Sequence, residues 1–484
     1  LQGVTTIDPS QFRDVRGGPR EIARSVSADE ILVSTVQERG GKAVVSLRRI
    51  RGRDEEILWN GNVEASSAAG EALALDRAVT AALRRGYGDR SPRKEAPELE
   101  ARAADYADFL RLKRRVEAGR GAWAPELDRL DTIVASSPRF LDAHLQAAKL
   151  AIHLYEDSKS PAYLERARSS LRRARLLAPR LPAVLAIEIR LAITEGDWAG
   201  AEQLIAELER LNPGDVLVPL QRYSLALQRG RLDEAISWMR TVVQRLPVWR
   251  NLVALGELEA RTGQLPQARQ HLAEALRLVP GNTWVLAKMG EVELAYGDLS
   301  RAEEIYQGLV SSGPQRSDLT NLGLIHFLLG RYGDAAADYR RALQIEPGHL
   351  TATLDLADAE QALGHRKEAG ELYRQILATL EAKERGAALL PIERVFRAQC
   401  LAYQGERGKA VEAALNAFQE SPQDADVVYQ ASLVLAVAGE RASALALARK
   451  ALSLGYQPRW FEVPAFGSLR SEPAFREMLA RGRG

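Results

Sequence analysis

Residues 252–280 read LVALGELEARTGQLPQARQHLAEALRLVP, and this stretch shows the features that decide the fold. Apolar residues recur at helical spacing on both sides of Gly263, which is typical of two short amphipathic helices. The glycine suits a tight turn, because a residue without a Cβ adopts a positive φ at little cost. Ala268 allows the two helices to approach closely, and Pro280 ends the second helix because it has no backbone N–H. The stretch therefore predicts a helical hairpin.

The same three features recur along most of the chain. Eight glycines follow one another at intervals of 33 to 41 residues, an alanine stands five residues after each, and a proline stands seventeen residues after six of them. The glycines are Gly196, Gly230, Gly263, Gly297, Gly330, Gly364, Gly405 and Gly439. One such hairpin cannot bury both of its apolar faces, so consecutive hairpins must stack. The longest interval places seven additional residues near 382–391, as a longer helix or a loop.

These residues resemble the tetratricopeptide repeat in the spacing of glycine, alanine and proline. The resemblance implies a mainly α fold, with a right-handed superhelix of about ten helix-turn-helix repeats over residues 99–456. Residues 457–484 follow the last repeat, and we expect this C-terminal tail to cover the open end of the superhelix. Its aromatic residues are Trp460, Phe461, Phe466 and Phe475.

The first ninety residues follow a different pattern. Three short stretches rich in β-branched residues are separated by Gly40-Gly41 and by the charged segment 51–56, which predicts three antiparallel strands joined by tight turns. The predicted strands lie near 31–36, 43–47 and 57–63, with helices at about 19–28 and 67–85 and a further strand at about 4–7. This order predicts a small α/β domain before the repeats.

Residues 1–87 resemble the second half of the TolB amino-terminal-like domain, and a linker is expected at 88–98. In bacteria that domain is found before tetratricopeptide repeats in membrane-anchored Ser/Thr kinases, membrane-bound transcription regulators and adenylate cyclases. The first strand and helix of that family would lie before Leu1, and the chain does not begin with Met. We therefore expect it to be part of a longer polypeptide.

Composition excludes several classes of function. Sixty-six Lys and Arg against 64 Asp and Glu leave a net charge of +2, so no overall field attracts nucleic acid or an anionic membrane. The single cysteine, Cys400, excludes an internal disulfide framework and a paired-cysteine metal site. No apolar run reaches the ~20 residues that span a bilayer.

No catalytic or cofactor-binding pattern is visible. The six histidines never stand four residues apart, as in a metal-binding helix, and are interpreted as surface or capping residues. The segment Gly405–Ala410 lacks the glycine spacing and the hydroxyl residue of a phosphate-binding loop. A run of arginines between Arg166 and Arg180 is interpreted as a solvated helix face, with a phosphate or anionic-lipid site as the alternative. We expect no enzyme activity, metal or cofactor.

The repeat register predicts a partner-binding surface. In the tetratricopeptide family the first helix of each repeat lines the inner wall of the superhelix, chiefly at its second, fifth, sixth and ninth residues. Packing does not require polar and aromatic residues there, whereas a peptide groove uses them as anchors. The candidate residues are Arg250, Glu257, Trp284, Lys288, Glu291, Thr320, Asn321, Asp355, Asp358 and Tyr429. The two-Asn, two-Lys clamp that holds a C-terminal carboxylate in some members is not reproduced.

The sequence thus predicts a non-catalytic sensory module that binds a protein or peptide, within a larger bacterial signalling protein. A membrane-anchored parent would place this part outside the cytoplasm. The alternatives are a cytoplasmic regulatory region of a signalling enzyme such as a cyclase, and a plain assembly scaffold.

Overall fold

A computed structural model describes residues 18–25, 28–39, 42–66, 71–87, 100–117, 123–386 and 388–481. The predicted strand at 4–7, the Gly40-Gly41 turn and the predicted linker at 88–98 lie outside the described residues. The chain divides into two compact units, one of Leu1–Leu258 with Ala273–Pro280 and one of Glu259–Leu272 with Gly281–Gly484.

The first unit begins with a three-stranded antiparallel sheet in the order β1-β2-β3. The strands are β1 (Glu30–Arg39), β2 (Lys42–Arg51) and β3 (Ile57–Ser66), preceded by helix α1 (Pro19–Ser25) and followed by α2 (Ala72–Tyr87). Val45 pairs with Val63 across β2 and β3, and both side chains are buried against Ala82 of α2. The alternation of apolar residues along the strands therefore places one face of the sheet against α2.

The rest of the first unit consists of consecutive helix pairs. These are α3 (Ala103–Glu117) with α4 (Trp123–Ser136), α5 (Leu141–Ser158) with α6 (Pro161–Leu177), α7 (Pro182–Glu195) with α8 (Trp198–Leu211), and α9 (Leu217–Gln228) with α10 (Leu232–Arg245). Helices α11 (Trp249–Arg261) and α12 (Leu265–Leu278) contribute residues to both units. Leu73 of α2 joins Tyr106 of α3 in one buried cluster, so α2 packs on one side against the sheet and on another against the first helix pair.

The second unit continues the same arrangement. Its pairs are α13 (Thr283–Tyr296) with α14 (Leu299–Ser312), α15 (Arg316–Leu328) with α16 (Tyr332–Ile345), α17 (Leu350–Leu363) with α18 (Arg366–Glu384), α19 (Pro391–Tyr403) with α20 (Arg407–Glu420), and α21 (Ala425–Ala438) with α22 (Arg441–Ser453). We call the first helix of each pair its A helix and the second its B helix. The predicted fold class, repeated helix pairs after a small antiparallel sheet, is confirmed.

The residues of the repeat occupy the places that their chemistry favours. Gly330 has a φ of 75° in the turn between α15 and α16, a backbone conformation that suits glycine. Ala335, five residues later, is completely buried. Gly323 faces Tyr339 so closely that an added Cβ would lie 2.7 Å from the tyrosine ring. Small residues on the A helix thus make room for large rings on the B helix. The additional residues before Pro391 lengthen α18 to 19 residues.

The C-terminal tail forms two 3₁₀ helices, Pro458–Glu462 and Pro464–Leu469, and helix α23 (Pro473–Arg481). Phe461, Phe466 and Phe475 are buried in one cluster with residues of α21 and α22. The tail also extends beyond the last pair, because Trp460 packs in the cluster formed by α13, α14 and α15. It therefore does more than cover an end of the repeats, since it contacts helices that precede it by more than 130 residues in the chain.

Candidate functional site

A pocket of about 670 Å³ lies within the second unit, bounded by the A helices α15, α17, α19 and α21 and by the C-terminal tail. We call it the A-helix pocket. Asp355 of α17, Phe396 of α19 and Gln430 of α21 all line it, and each stands nine residues before the turn glycine of its pair. The regular stacking of the pairs therefore brings equivalent positions of successive A helices to one cavity.

Aromatic rings form much of the pocket wall. Tyr403 of α19 stacks on Tyr373 of α18 with 4.9 Å between ring centroids. Tyr429 of α21 stacks at 4.5 Å on Tyr456, which follows α22, and its hydroxyl donates a 2.8 Å hydrogen bond to the backbone oxygen of Trp460 in the tail. Each of these rings is fixed by a neighbour, so the wall is formed before any ligand binds.

Two carboxyl groups of α17, Asp355 and Asp358, lie among these rings. Asp358 accepts a hydrogen bond from the Tyr373 hydroxyl at 2.8 Å and two from the Gln399 side chain at 2.8 and 2.9 Å. In the described part of the chain, no residue donates a hydrogen bond to Asp355. The Asp358 carboxyl group is thus hydrogen-bonded within the protein, whereas the Asp355 carboxyl group faces the pocket without such a bond.

Burial changes the acidity of both carboxyl groups. Burial, together with the neighbouring Asp358 carboxylate, raises the pKa of Asp355 to about 8. Burial also raises the pKa of Asp358 to about 6, although the hydrogen bonds from Tyr373 and Gln399 oppose that rise. At neutral pH the pocket therefore holds a mostly protonated Asp355 beside a mostly ionised Asp358.

The remaining polar groups of the pocket are amides, hydroxyls and one further carboxyl group, with the indole N–H of Trp460. The side-chain oxygen of Gln430 is buried and accepts no hydrogen bond from the residues described. Asp426 accepts a 2.5 Å hydrogen bond from the Tyr456 hydroxyl at the rim. No lysine, arginine or histidine is found among the described residues that line the cavity. The pocket is therefore negative in character and aromatic.

Three of the predicted partner-binding residues, Asp355, Asp358 and Tyr429, meet in this pocket. The prediction placed Tyr429 on an open wall, but its side chain is only 8% exposed because the tail covers it. Another three cluster on α13: the Lys288 ammonium lies 5.5 Å from the centre of the Trp284 ring and 2.7 Å from a Glu291 oxygen. Trp284 is 43% exposed, so its indole is accessible to a partner.

The other predicted residues have local partners. Asn321 donates a 2.8 Å hydrogen bond to the Tyr306 hydroxyl, and Thr320 donates one to the backbone oxygen of Arg316. The Asn321 contact holds α15 to α14 of the neighbouring pair, whereas the Thr320 contact lies within α15. Arg250 and Glu257 lie on α11 in the first unit, where the Arg250 guanidinium stands 4.2 Å from the centre of the Trp249 ring.

The repeat register was not used to select several residues that line the pocket. Phe396 and Gln430 share the register position of Asp355, and Asp426 is the second residue of its helix, so the register that selected Asp355 could have found them. Tyr456 follows the last repeat helix, α22, and Trp460 lies in the tail. The positions that the repeat register selects all lie on A helices, so the register could not have selected either residue.

The arginine run between Arg166 and Arg180 lies largely on helix α6, and some of its members pair with acids on other helices. Arg166 pairs with Asp128 at 2.8 Å, and Arg175 pairs with Glu207 at 2.7 Å. The run is therefore partly paired with acids of α4 and α8, while Arg172, Arg173 and Arg180 are exposed, as a solvated face predicts.

The interpretation of the histidines as surface or capping residues is wrong for some of them. His326 is buried, and its Nδ1 lies 2.8 Å from a carboxylate oxygen of Asp338 on the B helix of the same pair. His349 does cap a helix, since its ring nitrogen accepts from the backbone N–H of Ala352 at 3.3 Å. Over the described ranges there is no group of three or more His, Cys, Asp or Glu placed to hold a metal ion. None of the helices described has the length and apolar composition needed to cross a membrane.

Comparison with known proteins identifies the repeat. Three models of the tetratricopeptide repeat match residues 222–283, 260–322 and 319–349. The human protein O-mannosyl-transferase TMTC1 is 27% identical over 143 residues, which is 30% of this chain and 15% of that protein. Cellulose synthase 1 operon protein C of Komagataeibacter xylinus is 28% identical over 218 residues, which is 43% of this chain and 14% of that protein. The chain thus spans about one-seventh of the length of these relatives.

A solved structure, a tetratricopeptide repeat protein from Parabacteroides merdae, is 19% identical and superposes with a TM-score of 0.39. The match covers 56% of this chain and 99% of that one. The helix pairs and the matching family models together show that the chain carries tetratricopeptide repeats. Such repeats generally serve as non-catalytic scaffolds for protein interaction.

Proposed function

Because the chain carries tetratricopeptide repeats, we propose that it is a sensory scaffold that binds a protein or peptide in the A-helix pocket of its second unit. The observation that carries this proposal is the convergence of equivalent A-helix positions, among them Asp355, Phe396 and Gln430, on one cavity with aromatic walls. Pockets of a few hundred cubic ångströms with apolar walls and a few polar groups are the usual form of a binding site.

The exposed Trp284 on α13 extends the proposed binding surface. An indole of which 43% is accessible, with an ammonium group beside it, offers a large apolar contact that costs little conformational entropy to bury. Aromatic anchors of this kind often supply most of the energy of an interface. A partner that reached both Trp284 and the A-helix pocket would contact α13 and α21 together.

The setting of the scaffold is also part of the proposal. The order of helix, three antiparallel strands and helix before the repeats supports a TolB-like domain, and with it an extracytoplasmic portion of a bacterial signalling protein. A hydrophobic span of about 20 residues encoded before Leu1 would support the membrane-anchored form. A cyclase domain there would instead support the cytoplasmic alternative.

One observation favours a second candidate, an assembly scaffold without a sensory role. The relative from Komagataeibacter xylinus is named as a cellulose synthase operon protein, and 43% of this chain aligns with it. The two candidates share the binding pocket and differ in whether a bound partner changes the output of an attached effector.

Site-specific crosslinking tests the shared part. A photoreactive amino acid at position 396 should crosslink to the partner, because Phe396 lines the pocket. The same group at position 368 should not, because Glu368 is exposed on the B helix α18 and does not line the pocket. Equal crosslinking from both positions, or none from position 396 while the partner is still captured, would place the binding surface elsewhere.

A further inference from the structure

The A-helix pocket combines features that select a particular chemistry. Its acceptors are the Asp355 carboxyl, which has no hydrogen-bond donor in the described structure, and the buried oxygen of Gln430. Its walls include the rings of Phe396, Tyr403 and Trp460. A ligand that satisfies both must carry several hydrogen-bond donors, present a flat face to the rings, and bear a positive charge.

We propose that the A-helix pocket binds the guanidinium group of an arginine side chain presented by a partner peptide. This proposal rests on the protein-binding function proposed above. Guanidinium is planar, carries five N–H donors and is weakly hydrated, so it stacks on aromatic rings while it donates to carboxylates. The ammonium of lysine is compact and strongly hydrated, and it fits acceptors spread over two helices less well.

The charge of the pocket agrees with a cationic ligand. Asp355, Asp358 and Asp426 line it, and none of its described lining residues is basic. The volume of about 670 Å³ exceeds that of one side chain, so it also accommodates the residues on either side of an arginine. For this reason a peptide is favoured over a free guanidinium compound.

Binding a cation should displace a proton. Burial holds Asp355 largely protonated near pH 7 when the pocket is empty, and a guanidinium at hydrogen-bond distance favours the carboxylate. Affinity should therefore rise as the pH increases from about 6 to 8. Asp358 on α17 and Tyr339 on α16 interact directly with this carboxyl group. The other titratable groups that line the pocket or neighbour Asp358 are an acid, phenols and a thiol: Tyr373 on α18, Cys400 and Tyr403 on α19, Asp426 and Tyr429 on α21, and Tyr456 after α22.

Calorimetric titration of the full chain tests the proposal. The probe is a blocked pentapeptide with one arginine between alanines, and the matched control carries citrulline, which has the same shape without the charge. The arginine peptide should bind at least about tenfold more tightly. Titration at pH 7 in buffers of different ionisation enthalpy should show that protons are released, an effect that a merely structural role of Asp355 would not produce.

Two variants and a control locate the site. Asp355→Asn and Gln430→Leu should each reduce the preference for arginine over citrulline, and Asp355→Asn should abolish the proton release. Glu368→Gln, on the exposed side of α18, should change neither. The melting temperature of each variant shows whether it is folded. Equal affinity for the two peptides, or an unchanged preference in folded Asp355→Asn, would overturn the proposal.

Two further outcomes separate the possible sources of failure. If free arginine amide binds as tightly as the peptide, the peptide part of the proposal is overturned and the ligand is a small guanidinium compound. If the arginine peptide does not bind while crosslinking from position 396 still captures a partner, arginine recognition is wrong and the scaffold function stands.

Discussion

The Arg459 guanidinium donates a hydrogen bond of 3.1 Å to the backbone oxygen of Leu294, 165 residues earlier in the chain. A second nitrogen of the same group donates to the backbone oxygen of Gly297. These oxygens belong to the C-terminal end of α13 and its turn, where backbone acceptors have no partner within the helix. Arg459 therefore ties the C-terminal tail to a helix pair near the start of the second unit.

Arg459→Gln should release this part of the tail. The variant loses two hydrogen bonds to the end of α13 and should lower the free energy of unfolding by about 1–3 kcal/mol. Hydrogen exchange should accelerate in Pro458–Glu462 and near Leu294. Arg476→Gln on α23, an exposed residue of the same tail, is the control and should have little effect. Unchanged exchange near Leu294 would show that the contact does not hold the tail.

One substitution should have opposite effects at two glycines. Gly323→Ala places a methyl group against the buried Tyr339 ring and should cost about 1–3 kcal/mol of stability. Gly308→Ala adds the same group in open space on α14 and should stabilise the protein by about 0.5–1 kcal/mol. Thermal and denaturant unfolding measure both changes. A loss of stability in Gly308→Ala equal to that in Gly323→Ala would contradict the packing described between A and B helices.

Asp355 should make stability depend on pH. Its folded pKa, about 8, lies above the ordinary value of 3.8, so the folded state retains a proton that the unfolded chain releases. The stability that the protonated Asp355 carboxyl group contributes is complete below about pH 4 and is lost as the pH rises towards 8. Asp355→Asn should therefore raise the melting temperature more at pH 8 than at pH 5. At pH 8 we expect the free energy of unfolding to increase by up to a few kcal/mol. A larger gain at pH 5 would reverse the inferred sign.

Two tryptophans at the starts of A helices should differ in their importance for folding. Trp249 of α11 is 1% exposed, and Trp249→Ala should cost about 3–5 kcal/mol because it leaves a large cavity. Trp284 of α13 is 43% exposed, and Trp284→Ala with Lys288→Ala should change stability by about 0.5 kcal/mol or less while it weakens partner binding. A large loss of stability in the second variant would show that Trp284 belongs to the core.

The helix pairs, their turns and the register of the A helices could be predicted from the sequence alone. Gly330 and Ala335 occupy the turn and the helix crossing that their spacing predicts, because each repeat contacts mainly its neighbours and a contact that recurs leaves a periodic pattern. The same register selected Asp355 and Tyr429, and it could have selected Phe396 and Gln430.

The completed pocket depended on the tertiary structure. Tyr456, which follows α22, and Trp460 of the tail close it, and their contacts with Tyr429 and with α15 join residues distant in the chain. The raised pKa of Asp355 could not be predicted from the sequence either, because it arises from burial and from the nearby Asp358 carboxylate. Local periodicity reports contacts between neighbouring repeats, whereas long-range contacts and the desolvation of a side chain exist only once the chain has folded.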